Sequence, residues 1–175
     1  MSKKCWILDS QIVFYGLEDV EDCLKHAKSY SKKHKKTLEE CLVGRTEDEQ
    51  RSRLLICECL RKDKTECATT SQQIRSIPNK DFSNWLSNKF SRRDRPFDYS
   101  LFSTCMREIK DLEDCTLIAS ADLKKCEIVT IDRKLLKFCK KYDIPCKSLI
   151  EALDELGYKF EEIEKVKKAI LGKTP

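Results

Sequence analysis

Histidine is scarce in this chain, no two cysteines form a CxxC pair, and long apolar runs are missing. Only His26 and His34 stand beside eleven cysteines. Cys57 and Cys59 lie two apart in a helical pattern and so face different ways. A zinc site of His and Cys is therefore poorly supported. No segment approaches the roughly 18 apolar residues that span a bilayer, so no membrane partner is expected. The apolar run at residues 5–8 stops at Asp9, too short for the core of a secretory signal. A cytoplasmic location is the resulting expectation. Internal repeats, low-complexity tracts and long linkers are also lacking.

What is present suits a folded domain. At 175 residues and 40% apolar content the chain can fill one core. Charged residues make up 37% and both signs are mixed, which reads as a solvated surface. The net charge of +5 is a mild bias toward anionic partners, far from that of a histone-like binder. The cysteines have two readings. Cys5, Cys115, Cys126, Cys139 and Cys146 lie in or beside apolar runs, as small buried residues do. The other reading is disulfides of the kind found inside hyperthermophiles. An odd count leaves at least one free thiol in a monomer.

Residues 5–8 read as a short buried strand, followed by a helix with Ile12, Val13, Phe14 and Leu17. Residues 19–36 look helical. Thr37 with Glu40, and Thr46 with Glu49, match the capping-box spacing, with Gly44 as a stop between them. The second of these helices runs to about residue 62. A strand at 66–70 and a short helix to Ile77 follow. Asp98 can cap a helix striped by Phe102, Cys105, Met106 and Ile109. Asp114 opens another. A β-branched strand at 127–131 ends at Asp132, which begins a further helix, and a strand near 144–147 comes after it. Ser148 with Glu151 starts the C-terminal helices, whose stripe runs from Leu149 through Phe160, Ile163 and Val166 to Ile170.

Strands alternating with helices predict an α/β fold with a parallel sheet. Ligands in such sheets bind beyond the carboxyl ends of the strands. Asp9 and Asp132 each follow a strand end, and Asp114 stands at a helix start on the same edge. Carboxylates that crowd together stay ionised only with a positive charge among them, and hard divalent cations prefer carboxylate oxygen. Each acid taken alone also suits an ordinary helix cap. A phosphoacceptor domain is discounted, because Asp9 stands alone in ILDSQI without the acid pair that chemistry needs.

The stretch WILDSQIVF resembles the opening of PIN-domain ribonucleases, both toxin-type and RNA-processing. DCTLIASADLKKCEIVTIDRKLLKF resembles their second half, and YDIPCKSL their last strand. Residues 1–17 and 111–150 carry the match, about a third of the chain. The resemblance implies a three-layer α/β/α sandwich with a central parallel sheet. Residues 1–150 would form the nuclease domain, and 151–175 a helical extension packed on it. It also implies Mg²⁺ or Mn²⁺ as cofactor, RNA as substrate, and an antitoxin or RNA-processing protein or a second copy as partner. Asp9, Asp114 and Asp132 would be the catalytic metal ligands. Ser10 would orient Asp9 or a bound water, Thr130 would support Asp132, and Glu113 is a possible fourth acid.

The chain departs from the family in two places. Gln11 stands where Asn is usual. The helix after the second strand, SQQIRSIP, offers Gln72, Gln73 and Arg75 where the family places a Glu. Glu66 or Glu58 would substitute under a shifted register. These gaps keep a second reading open, a catalytically weak or inactive module of the same fold that binds RNA or a protein.

Residues 79–99 interleave Phe82, Trp85, Phe90 and Phe97 with Lys80, Lys89, Arg92, Arg93 and Arg95. Aromatic faces stack on bases and cations meet phosphates. The spacing of Phe82, Trp85, Leu86 and Lys89 is equally that of a packed helix. Arg92, Arg93 and Arg95, beside Pro96, are the candidates for RNA phosphate. The basic run from Lys32 to Lys36 reads as a solvated helix end.

Overall fold

A computed structural model of the chain describes residues 3–15 and 47–158. The helix expected over 19–36, the Thr37–Glu40 pair, Gly44, Thr46 and the stripe from Phe160 to Ile170 lie outside the described residues. In chain order the elements are β1 (Lys4–Leu8), α1 (residues 10–15), α2 (Glu47–Arg61), β2 (Thr65–Thr69), α3 (Ser71–Ser76) and α4 (Lys80–Lys89). Then follow β3 (Ser91–Arg92), α5 (Tyr99–Glu108), α6 (Leu112–Ser120), β4 (Glu127–Thr130), α7 (Arg133–Lys141), β5 (Cys146–Ser148) and α8 (Leu149–Glu155). Two compact units emerge: residues 1–10 with 58–148, and residues 11–57 with 149–175.

The first unit holds the five described strands in one sheet of order β3-β2-β1-β4-β5. Every pairing is parallel, so the α/β class with a central parallel sheet is the one the sequence indicates. Ile7, Leu8, Ala68, Ile128 and Val129 are fully buried, as in a parallel sheet covered on both faces. Ile118, Leu135 and Phe138 from the helices join Ile7 and Ile128 in the core. Burying each large aliphatic side chain contributes roughly 1.5–3 kcal/mol.

The helix starts are set by short polar side chains. Asn79, Asp98, Asp111 and Asp132 cap α4, α5, α6 and α7. Thr70 and Gln73 form a full capping box on α3. For α6 the structure corrects the sequence expectation. Asp111 is the N-cap and accepts from the Asp114 N–H at 2.9 Å, which places Asp114 in the first turn instead of at the start. β3 was not foreseen. Its two residues carry no apolar pattern, and only pairing with Ala68 and Thr69 makes them a strand.

Three disulfides brace this unit: Cys5–Cys126, Cys59–Cys67 and Cys105–Cys115. Cys5, Cys115 and Cys126 are thus bridged, whereas Cys139 and Cys146 remain thiols. The Cys5–Cys126 bridge closes a span of 121 residues. In the chain-entropy account that is worth about 5 kcal/mol, against about 2.5 kcal/mol for the short Cys59–Cys67 loop.

In the second unit, Ile12 and Val13 of α1, Leu55 and Ile56 of α2, and Leu149, Ala152 and Leu153 of α8 are buried. The glycine that ends α8, Gly157, sits at φ 95°, the conformation that favours glycine at a helix end. Among the described residues no helix is long and apolar enough to cross a membrane.

Candidate functional site

The strand order reverses between β1 and β4: β2 and β3 lie on one side of β1, and β4 and β5 on the other. The carboxyl ends at such a switch point diverge into a crevice. Asp9 follows β1 and Asp132 follows β4 by two residues, so both flank that point. The Asp9 N–H donates to the Val129 carbonyl at 2.9 Å, tying the two strand ends together.

Thr130 is the hub. Its Oγ1 donates to Asp9 Oδ2 at 2.8 Å and accepts from the Asp132 N–H at 3.0 Å. It is fully buried, so neither bond is shared with water. One hydroxyl thus holds the Asp132 backbone and the Asp9 carboxylate. Asp132 Oδ1 accepts from the Lys134 and Leu135 N–H groups and caps α7. Asp114, on the first turn of α6, completes the group: its carboxyl is close enough to those of Asp9 and Asp132 for both to act on its titration.

The electrostatics match that crowding. Asp9 is 6% exposed and its pKa is pushed up to about 6. Burial is the main cause; the Thr130 hydrogen bond works against it, and the charges of Asp132 and Glu113 add to it. Asp114 is pushed up to about 8, by burial first and then by the charges of Asp9, Asp111 and Asp132. Asp111 is the acid that sequence reading missed. Its signal, an Asp three residues before another in the capping spacing, was available in DLED.

Crowded carboxyl groups stay together either by keeping a proton or by sharing a cation. The donor set, all carboxylate oxygen, suits Mg²⁺ or Mn²⁺. Among the described residues, no three Asp, Glu, His or Cys side chains already surround one point as ligands. Asp132 Oδ1 is turned to its own helix, which accounts for part of that.

The backbone N–H of Ser10 donates to the Asp9 carboxylate, and its hydroxyl meets Gln73 Nε2 at 3.5 Å. Glu113 is exposed and lines a groove of about 190 Å³ with Ser10, Thr70, Gln72, Gln73 and Leu117. Gln73 is buried. Its Oε1 accepts from Thr69 Oγ1 and the Thr70 N–H, both at 3.0 Å, and its Nε2 donates to the Leu8 carbonyl at 2.8 Å. It pins the end of β1 to the end of β2 beside Asp9. Gln11 is exposed and donates to the Tyr15 hydroxyl along its own helix. Neither substitute acid joins the group. Glu58 pairs with Arg61, and Glu66 pairs with Arg93 and Ser91.

Of the three arginines, Arg92 is exposed and donates to Ser87. Arg93 donates to both carboxylate oxygens of Glu66. Arg95 donates to the Ile118 and Ala119 carbonyls, so it closes the C-terminal end of α6. Arg92 is thus the one of the three whose guanidinium holds neither a carboxylate nor a helix end.

Compared with known proteins, the chain matches no protein-family model and no curated protein.

Proposed function

We propose that this chain is a metal-dependent endoribonuclease of the PIN type, with Asp9, Asp114 and Asp132 holding Mg²⁺ or Mn²⁺. The supporting observation is the gathering of three carboxyls at the switch point of a parallel sheet, two of them with raised pKa values. Clustered, perturbed acids of this kind occur where chemistry is done. When bound, the metal supplies positive charge to a scissile phosphodiester and lowers the pKa of water.

The protein's own residues do the rest. Thr130 fixes Asp9 and the start of α7, so Asp9 and Asp132 keep one spacing. Asp114 would give up its proton to hold a cation, and the negative charge of Asp111 and Glu113 would favour that exchange. Arg92 lies on β3, at the same carboxyl edge of the sheet, and can take a phosphate of the incoming strand. RNA, with its regular phosphates, is the substrate class that a carboxylate–cation site and a basic edge would serve together.

Gln73 favours a second reading. At the helix where the family resemblance implies a Glu, this chain has a neutral amide with its hydrogen bonds already satisfied by protein. A site with one acid fewer binds a cation less tightly, and the fold then serves as a module that binds RNA or a protein partner with little cleavage.

The assay that tests the first reading mixes the purified protein with structured and single-stranded RNA under Mn²⁺, Mg²⁺ or EDTA, beside an Asp9→Asn, Asp132→Asn double variant. Cleavage that needs metal and is lost in the variant is the expected result. Equal inertness of both proteins on several RNAs overturns it in favour of the binding module.

A further inference from the structure

Among the described residues six cysteines are bridged in pairs, and Cys139 and Cys146 remain thiols. Cys139, on α7, is buried in the core, and Cys146, the first residue of β5, is half-buried against the same cluster. Both belong to one packed cluster, and Cys139 is the largest single influence on the Cys146 thiol, so the two are neighbours. The turn between them is closed by the Ile144 N–H donating to the Cys139 carbonyl at 2.8 Å.

We propose that Cys139 and Cys146 are a dithiol–disulfide couple whose oxidised form is a fourth bridge, tying the last turn of α7 to the edge strand β5. Two thiols in one cluster, on elements joined by a closed turn, need little backbone movement to bond. The bridge would also brace the candidate site. α7 begins at its cap Asp132, and β5 ends at Ser148, which is paired in register with Thr130. Closing the far end of this β4–α7–β5 unit fixes the element that carries both residues.

The oxidant is a low-molecular-weight disulfide. The half-buried Cys146 loses its proton and attacks one sulfur of the reagent, expelling the first thiol. Cys139 then loses its proton and attacks Cys146 Sγ in the mixed disulfide, expelling the second. Two S–H bonds are broken and one S–S bond is formed on the protein, while the reagent's S–S bond becomes two S–H bonds. Contact with Cys139, then burial, holds the Cys146 thiol far above its ordinary range. Exchange is therefore slow at neutral pH and faster in mild alkali, as befits a bridge set once and kept.

The test treats the full chain with oxidised glutathione at about pH 8.5, alkylates it in denaturant without reduction, and maps its tryptic peptides. Trypsin cuts at Lys140 and Lys141, so a bridge joins two separate peptides. The expected result is a Cys139–Cys146 peptide pair that accumulates with time, with a Tm rise of about 5 °C. Cys139→Ser is expected to stop at a persistent glutathione adduct on Cys146. Recovering both residues as alkylated thiols, while a control dithiol in the same mixture is oxidised, overturns the proposal. So does finding either one bridged to a different cysteine.

Discussion

Thr130 Oγ1 donates to Asp9 Oδ2 at 2.8 Å across a sequence separation of 121 residues. The same oxygen accepts from the Asp132 N–H at 3.0 Å. One buried hydroxyl therefore sets the spacing of two candidate ligands. Thr130→Val keeps the shape and removes both bonds. Leaving Asp9 Oδ2 and the Asp132 N–H without this partner costs about 2 kcal/mol, a Tm loss of about 4–8 °C at this size. The Asp9 carboxyl also loses a bond that lowers its pKa, so its titration moves above about 6. Carboxyl NMR titration of Thr130→Val against Thr130→Ser, which keeps the hydroxyl, checks both effects.

Stability of the metal-free protein should fall as pH rises from about 4 to 8. Asp9 and Asp114 have raised pKa values, so the folded state holds more protons than the unfolded chain between 3.8 and those values. Their contribution is complete below about pH 4. It is lost as pH passes about 6 for Asp9 and about 8 for Asp114. Glu66 acts in the opposite sense. It is lowered chiefly by its Ser91 hydrogen bond, so its contribution is lost only as the medium becomes more acidic than this window. Thermal melts in EDTA across that range should show the decline, and Asp114→Asn should remove its upper part.

Gln73→Glu tests what the neutral amide does. The variant places a carboxylate against the Leu8 carbonyl, where Nε2 now donates. The metal-free protein should lose about 2 kcal/mol, and Mn²⁺ affinity should rise roughly tenfold from the added charge. Gln73→Ala should be destabilised without that gain. Melts and Mn²⁺ titrations of the two variants separate a structural pin from a missing ligand.

The arginines divide by what they hold. Arg92→Ala should leave the melt within about 0.5 kcal/mol of wild type. It should also reduce the salt dependence of RNA binding by about one unit of slope. Arg95→Ala should lower Tm by several degrees, because the carbonyls ending α6 lose their donor. RNA binding measured at several salt concentrations, alongside melts, tells the two roles apart.

Strands β1, β2, β4 and β5 and the places of the three acids were legible because apolar runs end at Asp9 and Asp132 and parallel topology fixes which sheet edge those ends share. Several features were not. The role of Thr130 toward Asp9 depends on β1 and β4 being neighbours, which no local pattern records. The two residues of β3 have no strand signature apart from their pairing. Arg93 and Arg95 looked like phosphate ligands because sequence shows charge, whereas their partners, Glu66 and the end of α6, become neighbours only on folding. Cysteine pairing was hidden for the same reason. Cys5 and Cys126 meet only because β1 lies beside β4.

The most direct test of the account is calorimetric titration of the protein with Mn²⁺ at pH 7 in two buffers of different ionisation enthalpy, beside Asp114→Asn. With its pKa near 8, Asp114 is mostly protonated there. The expected result is saturable binding that releases about one proton per site, and loss of both the proton and most of the affinity in Asp114→Asn. Binding with no proton release and equal affinity in the variant, or no binding at millimolar Mn²⁺, contradicts a cation held by these three acids.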